Sequence, residues 1–214
     1  APIDRRQWRI VAALAVVSAI TIFQSIGYYQ NTNMNLVWIN RSVDLDLLGF
    51  HVPVAWFNSI DPLASILGVP VLFALWRWQA ARRREPDDLG KIAIGAWITA
   101  VANLLLVAAC LVSARTNALV PVVYDILLGI GFLYYWPTLL ALVSRTAPVS
   151  IKATMMGAVF LTLFISNSII GWLGGFYEHM TPAGFWAMHA GIAATGGVLA
   201  FGLRRPLMGA LEIT

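Results

Sequence analysis

Four stretches of this chain contain no Asp, Glu, Lys or Arg at all: 10–40, 92–114, 153–177 and 180–203. Two more, 47–76 and 116–144, hold one carboxylate each, Asp61 and Asp125. A helix that crosses the hydrocarbon core of a bilayer needs ~20 mostly apolar residues, and every window supplies them. The windows predict six spanning helices, at 10–38, 53–79, 91–113, 119–145, 152–175 and 182–204, in a single bundle over residues 1–214. Closed β-barrels also satisfy their backbone in lipid, but they need strands of about ten residues with alternating polarity, and no such period is present. The expected fold is all-α and integral to the membrane, with the lipid bilayer as its surroundings.

Composition agrees. Of the 214 residues, 59% are hydrophobic and 11% charged, against roughly 25% charged in a soluble domain. A soluble enzyme is excluded, and no phosphate loop or nucleophile elbow is present, so no enzyme activity is expected. The one cysteine, Cys110, permits neither an intrachain disulfide nor a multi-cysteine metal site, and in its apolar run a buried, unreactive thiol is expected. No pair among His51, His179 and His189 has metal-ligand spacing, and no cofactor is implied. His51 and His179 flank spans, while His189 is expected to be a hydrogen-bonded packing residue.

Basic residues sort by side. The N-terminus, the second and fourth connections and the C-terminus together hold twelve of the fourteen, leaving Arg41 and Arg115 for the opposite face. An excess of Lys and Arg marks the cytoplasmic side, which places both termini there, as in a bacterial inner (cytoplasmic) membrane. The run Arg82-Arg83-Arg84 between two spans is read as a topology determinant, not as a nucleic-acid site. A start at Ala1 rather than Met is expected of a processed chain or of a piece of something longer. The polar residues Gln24, Gln30, Asn31, Asn33 and Asn35 at the end of the first span should face a cavity or another helix. Gly171 and Gly175 form a G-x-x-x-G, a device for close helix packing. Pro70 and Pro137 should kink their helices, and Trp8, Trp76 and Trp78 should anchor the membrane interface.

The stretch Val52-Pro53-Val54-Ala55-Trp56-Phe57-Asn58-Ser59-Ile60-Asp61-Pro62 resembles I-P-A-S-W-F-Q-S-L-N-P, which opens the eighth helix of the proton-dependent oligopeptide transporters of the major facilitator superfamily. Tyr28-Tyr29-Gln30 with Asn40-Arg41-Ser42-Val43-Asp44 is similar to that family's F-E-Q and D-R-N-V-D, in and after its seventh helix. Pro137 with Leu142-Val143-Ser144-Arg145-Thr146-Ala147-Pro148 resembles the end of its tenth helix, and Met155-Met156-Gly157 the start of its eleventh. The resemblance covers nearly the whole chain but only the C-terminal six of twelve helices. The E-x-x-E-R-F motif of the family's first half does not occur in this sequence.

The resemblance implies short peptides carried into the cell with protons, bound near the midplane between two six-helix halves. It marks Tyr29, Asn58, Asp61, Phe132, Trp136 and Val159 as substrate-pocket positions. Several depart from the pattern. Tyr29 stands where the family has the glutamate of F-E-Q, Phe132 where it has a tenth-helix glutamate, Trp136 where it has a serine, and Val159 where it has a tryptophan. Phe132 and Trp136, four apart on one helix, share a face that should be bulky and closed. Asp61 and Asp125 remain as possible proton-coupling groups, although a place near the outer interface would give both ready water.

Two functions are thereby open. One is a structural or accessory subunit, derived from a peptide transporter and packed against another integral membrane protein complex. The other is the C-terminal half of a working proton-coupled carrier, partnered by an N-terminal half.

Overall fold

The computed structural model describes residues 4–47 and 49–211. Its six membrane-length helical segments run Arg5–Thr32, Val54–Ala81, Asp88–Val112, Leu119–Thr146, Val149–His179 and Pro182–Gly202, each close to a predicted span. The α-helices within and around them are α1 (Arg5–Tyr29), α2 (Met34–Ser42), α3 (Ile60–Ala81), α4 (Asp88–Val112), α5 (Leu119–Thr146), α6 (Lys152–Gly174), α7 (Pro182–Gly202) and α8 (Arg204–Ala210). The chain is an all-helical membrane bundle.

Local chemistry sets the helix starts. Asp4 caps α1 by accepting from Gln7 N at 2.7 Å, while its own N–H donates to Gln7 Oε1 at 3.1 Å, a capping box. Asp87 caps α4 through Gly90 N, and Thr181 caps α7 through Gly184 N with Pro182 in the first turn. Helices α3 and α5 run on through Pro70 and Pro137.

The first predicted span is not one helix. It breaks at Gln30–Thr32, a 3-10 turn, and Asn33 has φ −112° and ψ −95° before α2 begins. Polar side chains in this run compete with the helical ladder, Thr32 Oγ1 donating to Tyr29 O at 3.1 Å. Breaking the helix also lets the consecutive side chains of Gln30 and Asn31 both turn inward. Outside the spans, β1 (Val43–Asp44) pairs in parallel with β4 (Thr116–Asn117), and β2 (Asp46–Leu47) pairs with β3 (Phe50–His51) as a small hairpin. Neither these strands nor α8 is visible in the charge pattern.

Helix α4 packs most extensively, on α7 and α5, while α3 leans mainly on α5 and α6 on α1. Only 6% of the α3 span window and 28% of the α6 window is buried, so these two helices form the open flanks. Apolar layers fill the bundle near each end, one around Leu14, Leu139 and Val159, the other around Trp38, Tyr124 and Trp186. Between them helices meet backbone to backbone: a Cβ at Gly95 would stand 2.7 Å from Gly131 O. Small residues at helix crossings of this kind let van der Waals contact drive association in lipid.

The expected packing role of Gly171 and Gly175 is not met among the described residues. A Cβ at Gly171 would meet nothing within 4 Å, and one at Gly175 would meet only the backbone of its own turn, Trp172 O. The glycine that packs is the neighbour, Gly174, against Asn33 and Met34. Helix rotation, invisible in a spacing motif, turns the pair outward.

Candidate functional site

The polar end of the first span, the start of α3 and the middle of α5 converge on one buried carboxylate. Asp61 is the second residue of α3 and 5% exposed. The Tyr28 hydroxyl donates to its Oδ2 at 2.5 Å and Asn31 Nδ2 donates to the same oxygen at 3.0 Å. Ser65 Oγ, one turn along α3, lies 3.4 Å from Asp61 Oδ1 and 3.3 Å from Gly129 O on α5. Its single proton serves one of those acceptors at a time. Gly129 is required for this approach, since a Cβ there would come within 2.9 Å of Asp61 O and 3.0 Å of Asp61 Oδ1.

Burial corrects one expectation. Asp61 and Asp125 do lie in the first two turns of their helices, but neither is in ready contact with water: Asp125 is 3% exposed. The α1 break and α5 close over Asp61, and Asp125 sits one turn before Gly129 on α5 with no hydrogen-bond partner for Oδ2 among the described residues. Among the described residues neither carboxylate has a basic partner. A buried carboxylate without a cation is held by hydrogen bonds or by a proton.

Gln24, Gln30, Asn31 and Asn35 are buried inside this bundle and Asn33 is half-buried, as expected of polar residues that face other helices. Gln24 Nε2 donates to Gly131 O at 3.3 Å. His189 is fully buried, with Nδ1 2.9 Å from Phe185 O, so Nδ1 carries the proton and Nε2 accepts from Gln30 Nε2 at 3.0 Å. Successive residues at the α1 break thus reach in different directions, Gln30 to α7 and Asn31 to Asp61.

Beside Asp61 runs a chain of rings. Tyr29 stands edge-on to Tyr28 at 4.8 Å, and Tyr28 stacks on Phe132 at 5.2 Å. Phe132 meets Tyr135, Tyr135 meets Trp136, and Trp136 meets Phe160 of α6 at 5.7 Å. The Tyr135 hydroxyl lies 3.3 Å from Ser25 Oγ. Of the positions marked by resemblance, Tyr29, Phe132 and Trp136 are half-buried around this chain, Asn58 is exposed in the turn before α3, and Cys110, elsewhere, is half-buried. Val159 differs from expectation: it is fully buried in the apolar layer and lines no open surface of this chain.

The POT family profile matches residues 4–187. This chain belongs to the POT family. It is similar to the peptide transporter YePEPT of Yersinia enterocolitica, 28% identical over 172 residues, covering 78% of this chain and 34% of that protein. It is also similar to a di-/tripeptide transporter of Lactococcus lactis, 24% identical over 212 residues, with 96% of this chain and 42% of that protein covered. The chain therefore spans between about a third and two fifths of the length of these relatives. Among solved structures, a peptide transporter POT in complex with sulfate superposes with a TM-score of 0.86 at 22% identity, over 97% of this chain and 42% of that one. At that identity the likeness establishes the fold, which is that of a POT transporter bundle. The relatives are transporters, and this is a peptide-transporter-like membrane protein.

Two departures from the family pattern meet in space. Tyr28 stands at the phenylalanine of F-E-Q and Asp61 at the asparagine before proline, and the added hydroxyl donates to the added carboxylate. Asn31, expected to face a cavity or another helix, does so at Asp61. Ser65 and Gly129 carry no signal as site residues in the sequence, and for Tyr28 only the replacement of phenylalanine by tyrosine could have pointed to it.

Proposed function

We propose that this chain forms the C-terminal half-bundle of a proton-coupled carrier of short peptides, in which Asp61 has taken over proton exchange from position 29. The supporting observation is the buried Tyr28–Asp61 hydrogen bond. It puts a titratable carboxylate beside the ring that replaces the family glutamate, on the neighbouring helix. Ionised, Asp61 gathers an O–H donor from the last turn of α1 and an N–H donor from the break itself, and so ties that break to α3. Protonated, it holds those donors more weakly and can itself donate, so its charge state bears on how firmly α1 and α3 grip each other. The cargo site would form against a second six-helix half, joined or separate, with both termini cytoplasmic in an inner membrane.

The reading as an accessory subunit has its own support in the ring chain from Tyr29 to Phe160, which fills the face where the family carries polar groups. Proteoliposomes holding the protein in its native assembly separate the two. Dipeptide uptake that follows an imposed proton gradient, and is lost in Asp61→Asn, is expected of the carrier. Gradient-independent behaviour, or uptake indifferent to Asp61→Asn, would set the carrier reading aside.

A further inference from the structure

At the basic end of α3, four guanidinium groups are left over by the ion pairing around them. The connection to α4 and the first residue of that helix supply three acidic residues, and each is occupied. Glu85 pairs with Lys91 at 2.5 Å, Asp88 with Arg145 at 2.6 Å, and Asp87 with Arg204. Arg77, Arg82, Arg83 and Arg84 are exposed, and none of them has a carboxylate partner among the described residues. Arg82 instead lies over the Trp78 ring at 3.9 Å, at the level where tryptophans meet a membrane interface.

The backbone displays this cluster at a cost. Arg83 has φ +52°, the left-handed conformation that normally ends a helix on glycine. Arg84 N reaches back to Gln79 O at 2.8 Å to close the end. With Arg83 N bonded to Ala80 O at 2.9 Å this is a Schellman close, with an arginine at the position where glycine is usual.

Leading away from the cluster is an apolar groove of about 660 Å³ between α3 and α5, lined by Ile60, Leu67, Val71, Leu75, Val122 and Ile130 among others. At 1.5 Å per residue the stretch from Ile60 to Leu75 runs about 22 Å, longer than one leaflet's half of the ~30 Å hydrocarbon core. On the groove's face of α3, Leu75 is followed by Trp78 and Arg82, three and seven residues on, whereas Arg77 lies on the opposite face.

We infer that this is a site for an anionic glycerophospholipid, its phosphate among Arg82, Arg83 and Arg84 and an acyl chain along the α3–α5 groove. Charge complementarity selects the headgroup: unpaired guanidiniums at an interface attract anionic lipid and form bidentate contacts with phosphate. The inference rests on neither reading of transport.

The test uses the protein in its native assembly in detergent micelles, where membrane orientation has no meaning. Phosphatidylglycerol is added, with phosphatidylcholine of the same chains and inorganic phosphate as parallel arms, and binding is read by thermal shift and native mass spectrometry. Phosphatidylglycerol is expected to bind and to raise the melting temperature, while the other two do neither. In R82Q/R83Q/R84Q, whose side chains are all exposed, affinity should fall about fivefold per arginine, on the order of a hundredfold in all. Ala64 also lines the groove, and Ala64→Phe, which fills it and leaves the charges, should weaken binding of long-chain phosphatidylglycerol by tenfold or more. Equal binding of phosphatidylcholine, an equal response to inorganic phosphate, or an unchanged response in the triple variant would overturn the site. A lipid response that survives Ala64→Phe while the assembly falls apart would assign the groove to a partner helix and overturn it too.

Discussion

Tyr28 Oη lies 2.5 Å from Asp61 Oδ2, joining the last turn of α1 to the first turn of α3 inside a membrane bundle. In water a tyrosine–carboxylate pair is replaceable by solvent. At 5% exposure Asp61 has no such substitute, and losing a donor leaves charge behind in a poorly solvated site. The pair is therefore a structural and an electrostatic unit.

Coupling between the two side chains should be measurable. Tyr28→Phe removes one of two donors on Oδ2 and is expected to cost about 1–3 kcal/mol in thermal or denaturant unfolding of the purified protein. In an Asp61→Asn background the same change should cost about 1 kcal/mol less, because the neutral amide suffers less from the lost hydroxyl. Additive effects would mean that the two groups do not act together. Asp61→Asn alone is expected to leave the fold intact and to abolish proton-driven uptake.

Glycine positions give a sharper steric contrast. Gly95→Ala forces a Cβ to 2.7 Å from the backbone oxygen of Gly131, which cannot swing away as a side chain would. Overpacking of that kind should destabilise by about 1–3 kcal/mol. Gly171→Ala meets open space and should change stability by no more than about 0.5 kcal/mol. Melting temperatures of the two variants side by side check this, and a larger loss at Gly171 would show that the G-x-x-x-G packs against something beyond this chain.

That contrast also marks how far the sequence was legible. Windows holding at most one charged residue located every span, because a buried charge in lipid is costly enough to leave a one-dimensional trace. Depth along a span was legible too: Asp61 and Asp125 do fall in the first two turns. What no window carries is rotation about the helix axis and the identity of the neighbour. Gly171 and Gly174 differ by one turn and by everything in their surroundings, and Asp61 is sealed by Asn31 and Gly129, which come from distant segments. The break at Gln30–Thr32 was foreshadowed by its polar run, yet an amphipathic helix facing a cavity would show the same residues.

Orientation follows from the basic side of the bundle. With Cys110→Ala as background, a cysteine placed at Arg83 should resist a membrane-impermeant maleimide added to intact cells, and one placed at Arg115 should react. The expectation rests on the twelve-to-two division of basic residues between the faces. Reversed labelling would invert the topology and move the arginine cluster to the outer leaflet.

Asp87 serves two elements at once, which permits a separation by substitution. Its Oδ1 accepts from Gly90 N at 2.8 Å and caps α4, and its Oδ2 pairs with Arg204 at the start of α8. Asparagine retains a capping oxygen but no charge, so Asp87→Asn should lose only the ion pair. The side chains of Arg204 and Asp87 are 41% and 25% exposed, and solvent screening limits such a pair to about 0–1 kcal/mol. Asp87→Ala removes the cap as well, which adds about 1 kcal/mol. The expected order of unfolding midpoints is wild type, then Asp87→Asn, then Asp87→Ala, with the larger step between the two variants. High salt should narrow the first gap and leave the second, because a cap to a backbone N–H is not screened as a surface ion pair is. If the larger step instead fell between wild type and Asp87→Asn, the Arg204 contact would be the main tie between α4 and the C-terminal helix, and α8 would be expected to detach when it is lost.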